Sequence, residues 1–245
     1  YTDEFASLLP FKLTDAQART LKECIGDMQG EYPMSRLVQG DVGSGKTAVA
    51  AGAAYTVIKN GYQAALMAPT EILAEQHATS LTSLLSKGGI KVGILTGSLT
   101  ASQKRKTLEE LSTGEIDLAV GTHALLSEGV EFKKLGLVIT DEQHRFGVAQ
   151  RAKLAAKGIN PHILVMSATP IPRSLALILY GDLDVSILDQ LPPGRKPVET
   201  YAINSEKRER AFNYVKKHID EGRQAYIVCP LVENGEESDL ASATE

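Results

Sequence analysis

The sequence predicts an α/β protein, a parallel sheet flanked by helices, and three observations carry that prediction. Helical and strand periodicities alternate from residue 15 to about residue 230, as in βα units and not as in separate blocks of helices and strands. Short runs such as Leu135 to Thr140, rich in β-branched residues, and Ile163 to Met166 read as strands between the helical segments. A glycine-rich turn, Gly40 to Thr47, separates the first predicted strand from the helix after it. At 245 residues, 43% apolar and 23% charged, the chain has room for one large domain or one and part of another, and lies outside the disordered composition class.

Each element follows from local chemistry. Thr14, Asp15 and Gln17 open a helix with capping-box spacing, and Leu21, Ile25 and Met28 give it one apolar stripe. Arg36 to Gln39 reads as a short strand. From Lys46 to Asn60 the pairs Val49/Ala50, Ala53/Ala54 and Val57/Ile58 recur every four residues, a helix whose small apolar face can approach a sheet closely. Gln63 to Ala68 is the next strand, ended by Pro69. Thr70 caps a helix bearing Leu73, His77, Leu81 and Leu84, which Gly88 and Gly89 stop. Strands at Lys91 to Leu95, Asp117 to Val120, Leu135 to Thr140 and Ile163 to Met166, with helices at Ser102 to Leu111 and Val148 to Lys157, complete the pattern.

Asp189 to Pro197 holds three prolines and a glycine in nine residues, which reads as a linker after a first domain at 1–188. Beyond it a strand at Val198 to Ile203, a helix capped by Ser205 and a strand at Ala225 to Val228 are expected, then the acidic tail Glu233 to Glu245. So few elements cannot cover a sheet on both faces, so residues 198–245 are expected to be an incomplete second domain.

Charge and cysteine content narrow the function classes. Lys and Arg total 26 against 30 Asp and Glu, a net charge of −4, so the whole chain offers no electrostatic case for a polyanion and local patches must supply one. Cys24 and Cys229 have no companions at metal-ligand spacing and are expected to be plain buried thiols, which fits a reducing cytoplasm. No apolar run approaches the ~20 residues of a membrane-spanning helix. Residue 1 is Tyr and no leader pattern precedes the first turn, so the chain reads as a piece of a longer protein.

The chemistry is carried by Gly40, Asp41, Val42, Gly43, Ser44, Gly45, Lys46 and Thr47, a glycine followed by four residues and then Gly-Lys-Thr, set between strand and helix as a phosphate-binding loop requires. Glycines let successive amides turn inward as an anion nest, and the helix starting at Lys46 adds its positive end. Lys46 is then expected on the β- and γ-phosphates of a nucleotide and the Thr47 hydroxyl on Mg²⁺. A second metal-side carboxylate is needed, and Asp141 supplies it at the end of a β-branched strand. Glu142, beside it, is placed to orient or deprotonate a water, which marks a hydrolase.

The segment Asp141-Glu142-Gln143-His144-Arg145-Phe146-Gly147, taken with Pro69 to His77, Gly121 to Leu125 and Ser167 to Arg173, resembles the motor of superfamily-2 helicases. More narrowly it resembles the RecG family of bacterial DNA translocases, which remodel stalled replication forks and recombination intermediates. The resemblance spans essentially the whole chain. Gly43-Ser44-Gly45 and Gln143 favour that family over the motors of transcription-repair coupling factors.

The resemblance implies a RecA-like P-loop NTPase domain followed by the start of a second RecA-like domain, with ATP and Mg²⁺ as cofactors. Lys46, Asp141, Glu142 and His144 form its catalytic group. Gln17 is either the adenine-sensing glutamine, pairing with the N6 and N7 edge, or simply the residue that closes the capping box with Thr14. Pro69 and Thr70, Gly97 and Ser98, and Gly121, Thr122 and His123 would hold the nucleic-acid backbone without reading sequence. Gln143, His144, Ser167 and Thr169 would couple the two sites, although for His144 a purely structural hydrogen bond is the other reading. Two basic groups, Lys104 to Lys106 and then Arg145, Arg151, Lys153 and Lys157, are either further backbone contacts or solvated helix faces.

The implied partner is branched DNA, forks and Holliday junctions, engaged by a monomer away from any membrane. An N-terminal wedge and the rest of the second motor domain, with its arginines, would lie outside this chain. The chain alone is therefore expected to bind nucleotide weakly and to turn it over little. The competing classes are a metabolic P-loop kinase, for which no acceptor pocket or lid is evident, a nucleotide-gated module without hydrolysis, and an RNA helicase.

Overall fold

Successive side chains of a strand point to opposite faces, so a strand that is apolar throughout needs cover on both sides. The computed structural model, which describes residues 1–141, 148–169, 183–192 and 198–228, meets that demand with three layers. In chain order the elements are α1 (Thr2–Leu8), α2 (Asp15–Met28), β1 (Ser35–Gly40), α3 (Lys46–Lys59), β2 (Gln63–Met67), α4 (Glu71–Leu85), β3 (Val92–Leu95), α5 (Ala101–Thr113), β4 (Leu118–Gly121), β5 (Leu135–Thr140), α6 (Val148–Ala155), β6 (His162–Ser167), β7 (Asp184–Leu188) and α7 (Arg208–Asp220). The seven strands form one sheet in the order β3-β4-β2-β5-β6-β1-β7, and every pairing is parallel.

The strand alternation sorts the core into two sides. Leu137 and Ile139 of β5 join Val38, Leu66, Val120 and Met166 in a core covered by α1 to α4, while Leu135 and Val138 join Met67, Ala119 and Leu95 in a second core with Leu111 of α5 and Leu154 of α6. Small residues let α3 sit deep. Ala50, Ala51, Ala53 and Ala54 are all fully buried, with α1, α2 and α4 packed around the helix, so α3 is apolar nearly all round and not on one face only.

A polar network ties α2 to the sheet. Arg36 Nε donates to Asp27 Oδ2 at 2.6 Å and Arg36 Nη1 to Ser186 Oγ at 2.8 Å, and that serine in turn donates to Glu23. Burial pushes the Cys24 thiol of the same helix up to about 12, which makes it an inert packing group.

Two compact units emerge, Tyr1–Arg195 and Lys196–Glu245. In the second unit α7 is formed, entered through a 3₁₀ turn at Ser205–Lys207 and without a side-chain cap. The strands expected at 198–203 and 225–228 are not. Val198, Tyr201 and Val228 are 82, 77 and 91% exposed, and no neighbouring strand among the described residues offers the ladder that turns an apolar run into a strand. Two elements of the first unit were not anticipated. In α1 a single residue, Phe5, is buried, so its apolar signal is too thin to register. In β7 two of five residues are polar, and it becomes a strand by pairing with β1.

Two measurements probe this packing. Phe5, buried against Tyr55 at a ring separation of 5.7 Å, should lower the unfolding free energy by about 3 kcal/mol when changed to Ala, read by chemical denaturation. His162 accepts the Met34 N–H at Nδ1 (2.9 Å), and burial holds its pKa below the ordinary value of 6.5. The unfolded chain therefore takes up that proton first, and stability is lost as pH falls from the unfolded value towards the lower folded one. Thermal melts from about pH 8 to 5 should show that loss, and His162→Asn, which keeps an acceptor but does not titrate, should flatten it.

Candidate functional site

β1 ends at Gly40 and α3 starts at Lys46, so the glycine-rich segment is the turn between them. Its path depends on missing side chains. Gly43 and Gly45 have φ of 78° and 86°, and a Cβ on Gly45 would collide with the amide nitrogen of Gln17. A Cβ on Gly40 would lie 2.6 Å from Ser44 Oγ and 2.8 Å from Leu188 Cβ. Within the turn Ser44 N donates to Asp41 O at 3.0 Å, and Val42 N donates to Asp41 Oδ1 at 2.7 Å. Lys46 Nζ folds back over the loop and donates to the carbonyls of Gly40 (2.7 Å) and Asp41 (3.1 Å).

Both ends of the Gln17 amide are engaged inside the chain. Oε1 accepts from Thr14 N at 2.9 Å while Thr14 Oγ1 accepts from Gln17 N at 3.2 Å, which completes the capping box. Nε2 donates to Ser44 O at 2.8 Å and so fastens α2 to the loop. Of the two readings left open for this residue, the box is formed, and the hand on the loop is an addition that spacing alone did not reveal.

Asp141 follows β5 directly, and its backbone N donates to Met67 O at 3.0 Å. Val42, Gly43, Gly45, Lys46 and Thr47 share one cleft of about 360 Å³ with Asp141 and with Leu73, Gln76, His77 and Ser80 of α4. The acid and the loop therefore face a common space. Asp141 is 8% exposed, and its Oδ2 lies 2.7 Å from His77 Nε2. Glu142, Gln143 and His144 lie outside the described residues. β6, between β5 and β1, brings Ser167 to the gap between acid and loop; its hydroxyl is 3.0 Å from that of Thr169.

Three further turns leave the same edge on the other half of the sheet, where β3, β4 and β2 are neighbours. Pro69 and Thr70 follow β2, and Thr70 Oγ1 accepts from Leu73 N at 3.3 Å as the cap of α4. Gly97 and Ser98 are exposed after β3, and the Gly97 amide donates to Glu71 Oε1 at 2.8 Å. After β4 only His123 is exposed. Gly121 and Thr122 are buried, and Gly121 O accepts from Ala68 N at 2.8 Å.

The basic groups behave differently from each other. Lys104, Arg105 and Lys106 are exposed on α5. In the second group Arg151 is 6% exposed, and Lys157 donates to the carbonyls of Ser127 and Val130, both at 2.8 Å, with burial pulling its pKa down. Lys153 of that group is exposed and Lys157 half-buried, and Arg145 lies outside the described residues.

His77 makes a contact that helical spacing does not reveal. It stands in register with Leu73, Leu81 and Leu84 and reads as part of a packing stripe, while its partner is 64 residues away. A titratable residue inside an apolar stripe was the available signal. Gln17→Glu tests the loop fastening: the carboxylate still accepts from Thr14 N but cannot donate to Ser44 O. The unfolding free energy should fall by about 1 to 3 kcal/mol, the worth of a lost buried donor, read by chemical denaturation, and by more in Gln17→Ala, which also loses the box.

The comparisons with known proteins cover this whole arrangement. A family model for DEAD/DEAH box helicases matches residues 14–178. The ATP-dependent DNA helicase RecG of Bacillus subtilis (strain 168) is 55% identical over 98% of this chain and 35% of its own length. That of Synechocystis sp. (strain ATCC 27184 / PCC 6803 / Kazusa) is 52% identical over 99% of this chain and 29% of its own. A solved structure of RecG bound to a three-way DNA junction superposes with a TM-score of 0.83 at 49% identity, covering 94% of this chain and 31% of that one. The chain thus spans about a third of the length of these relatives. With the phosphate loop, Asp141 and all three neighbouring turns inside the matched residues, the chain belongs to the DEAD/DEAH box helicase family, as a RecG-like member.

Proposed function

We propose that this chain is the ATP-binding part of a RecG-like motor that couples ATP hydrolysis to the remodelling of branched DNA, such as stalled forks and recombination intermediates. The observation that carries the proposal is the single cleft lined by the phosphate loop, Lys46, Thr47 and Asp141. The donor set suits a magnesium nucleotide: a glycine-rich turn at a helix start and an ammonium for phosphates, a hydroxyl and a nearly buried carboxylate for a hard cation. The bound ion supplies neutralising charge for the phosphates.

Lys46 would meet the β- and γ-phosphates, and Thr47 and Asp141 would hold the ion. Glu142 orients or deprotonates the attacking water, and His144 belongs to the same catalytic group. Gln17 recognises the adenine edge, and in doing so trades one of its internal hydrogen bonds. Gln143, His144, Ser167 and Thr169 relay between this cleft and the nucleic-acid side. There Pro69, Thr70, Gly97, Ser98 and His123 contact the backbone without reading bases, with Gly121 and Thr122 in the same turn as His123.

Residues 198–245 begin a second RecA-like domain. Arginines from the remainder of such a domain contribute ~10³ to 10⁵ in rate where they serve as fingers, so this chain by itself binds Mg·ATP or ADP weakly and turns it over slowly.

Binding of a fluorescent ADP analogue to Lys46→Ala should be weaker by at least about tenfold, since a charge-assisted contact is lost. An unchanged affinity would remove the loop's role. In a coupled ATPase assay with fork DNA the chain should show little stimulation, and rapid DNA-stimulated turnover would overturn the need for a second domain. Fork DNA should also outcompete duplex RNA for binding; equal competition would favour an RNA motor.

A further inference from the structure

The role assigned above to Asp141 leaves one question open: what fixes the direction of a carboxylate that can spin about its last bond. We propose that His77 is a positioning residue for the metal-side acid, holding one carboxylate oxygen so that the other is presented to the cleft. This rests on the nucleotide-site reading and deepens it.

His77 Nε2 lies 2.7 Å from Asp141 Oδ2, and the two side chains are each only 12% exposed. An ionised carboxylate can only accept, so the proton in that contact sits on the imidazole nitrogen. The Asp141 backbone is already pinned by Met67 O, at 3.0 Å, which leaves side-chain rotation as the remaining freedom. His77 removes it.

The imidazole is itself held still by its helix. α4 runs fifteen residues, is capped by Thr70, and buries Ala74, Leu81 and Leu85 against the sheet side of the core. His77, Lys46, Thr47 and Asp141 all line the same cleft, so the restraint acts where the cation would sit. A carboxylate that must already point correctly loses no rotational freedom on taking up the ion, whereas a free one does. Partners that orient metal ligands in this way are typically worth 10- to 100-fold in metal affinity, by order of magnitude.

The test is a magnesium titration of the chain in the presence of a fluorescent ADP analogue, reading the Mg²⁺ concentration for half-maximal nucleotide binding. His77→Ala, and His77→Leu, which extends the Leu73/Leu81 stripe and so retains the packing, should both raise that midpoint by about 10- to 100-fold. His77→Gln, whose amide still donates, should stay within about threefold of the unsubstituted chain. A purely structural role would lower the binding capacity at saturating Mg²⁺ and leave the midpoint in place. A midpoint unmoved in both His77→Ala and His77→Leu overturns the inference alone. If the unsubstituted chain shows no Mg²⁺-dependent nucleotide binding sensitive to Lys46→Ala, the reading of the cleft fails and the inference falls with it.

Discussion

Because every pairing in the sheet is parallel, the carboxyl ends of β1 to β6 meet at one edge, and the turns that follow them bring polar groups together outside both cores. The amino ends, by contrast, receive chains returning from helices. In open parallel sheets ligands settle at this carboxyl edge, where backbone amides and helix starts face outward together. Strand order then divides the edge. β3, β4 and β2 place three turns side by side, β1 carries the phosphate loop, and β5 with β6 stands between, so Asp141 and Ser167 lie on the border of the two halves.

The turn at 40–47 is held by contacts within the chain. Gln17 joins it to α2, Gly40 lets Ser44 and Leu188 close in, and α3 is gripped on several sides through its alanines. Lys46 Nζ donates to two carbonyls of the loop itself, which draws the start of α3 in over the turn.

Much of this was legible in the sequence, for identifiable reasons. Uncharged runs and helical stripes report burial directly, so six of the seven strands and the flanking helices from α2 to α6 were readable from periodicity. The turn at 40–47 was readable because its glycines answer backbone demands that no other residue meets. What escaped depended on distant partners. β7 exists because β1 supplies a ladder, the runs at 198–203 and 225–228 have no such neighbour, and His77 looks like packing until Asp141, 64 residues on, is brought beside it. Lys157, readable as a surface charge, turned out to be tied to two carbonyls.

Helix α4 is fastened at two points by its own side chains, Glu71 to the Gly97 amide and His77 to the Asp141 carboxylate. Six residues of helix separate them, a lever arm of about 9 Å at ~1.5 Å per residue. Whatever occupies the Gly97 amide must first unseat an acid at one end of that arm, and the far end rests on the carboxylate beside the phosphate loop. One helix thus makes side-chain contacts both to the turn after β3 and to the acid after β5.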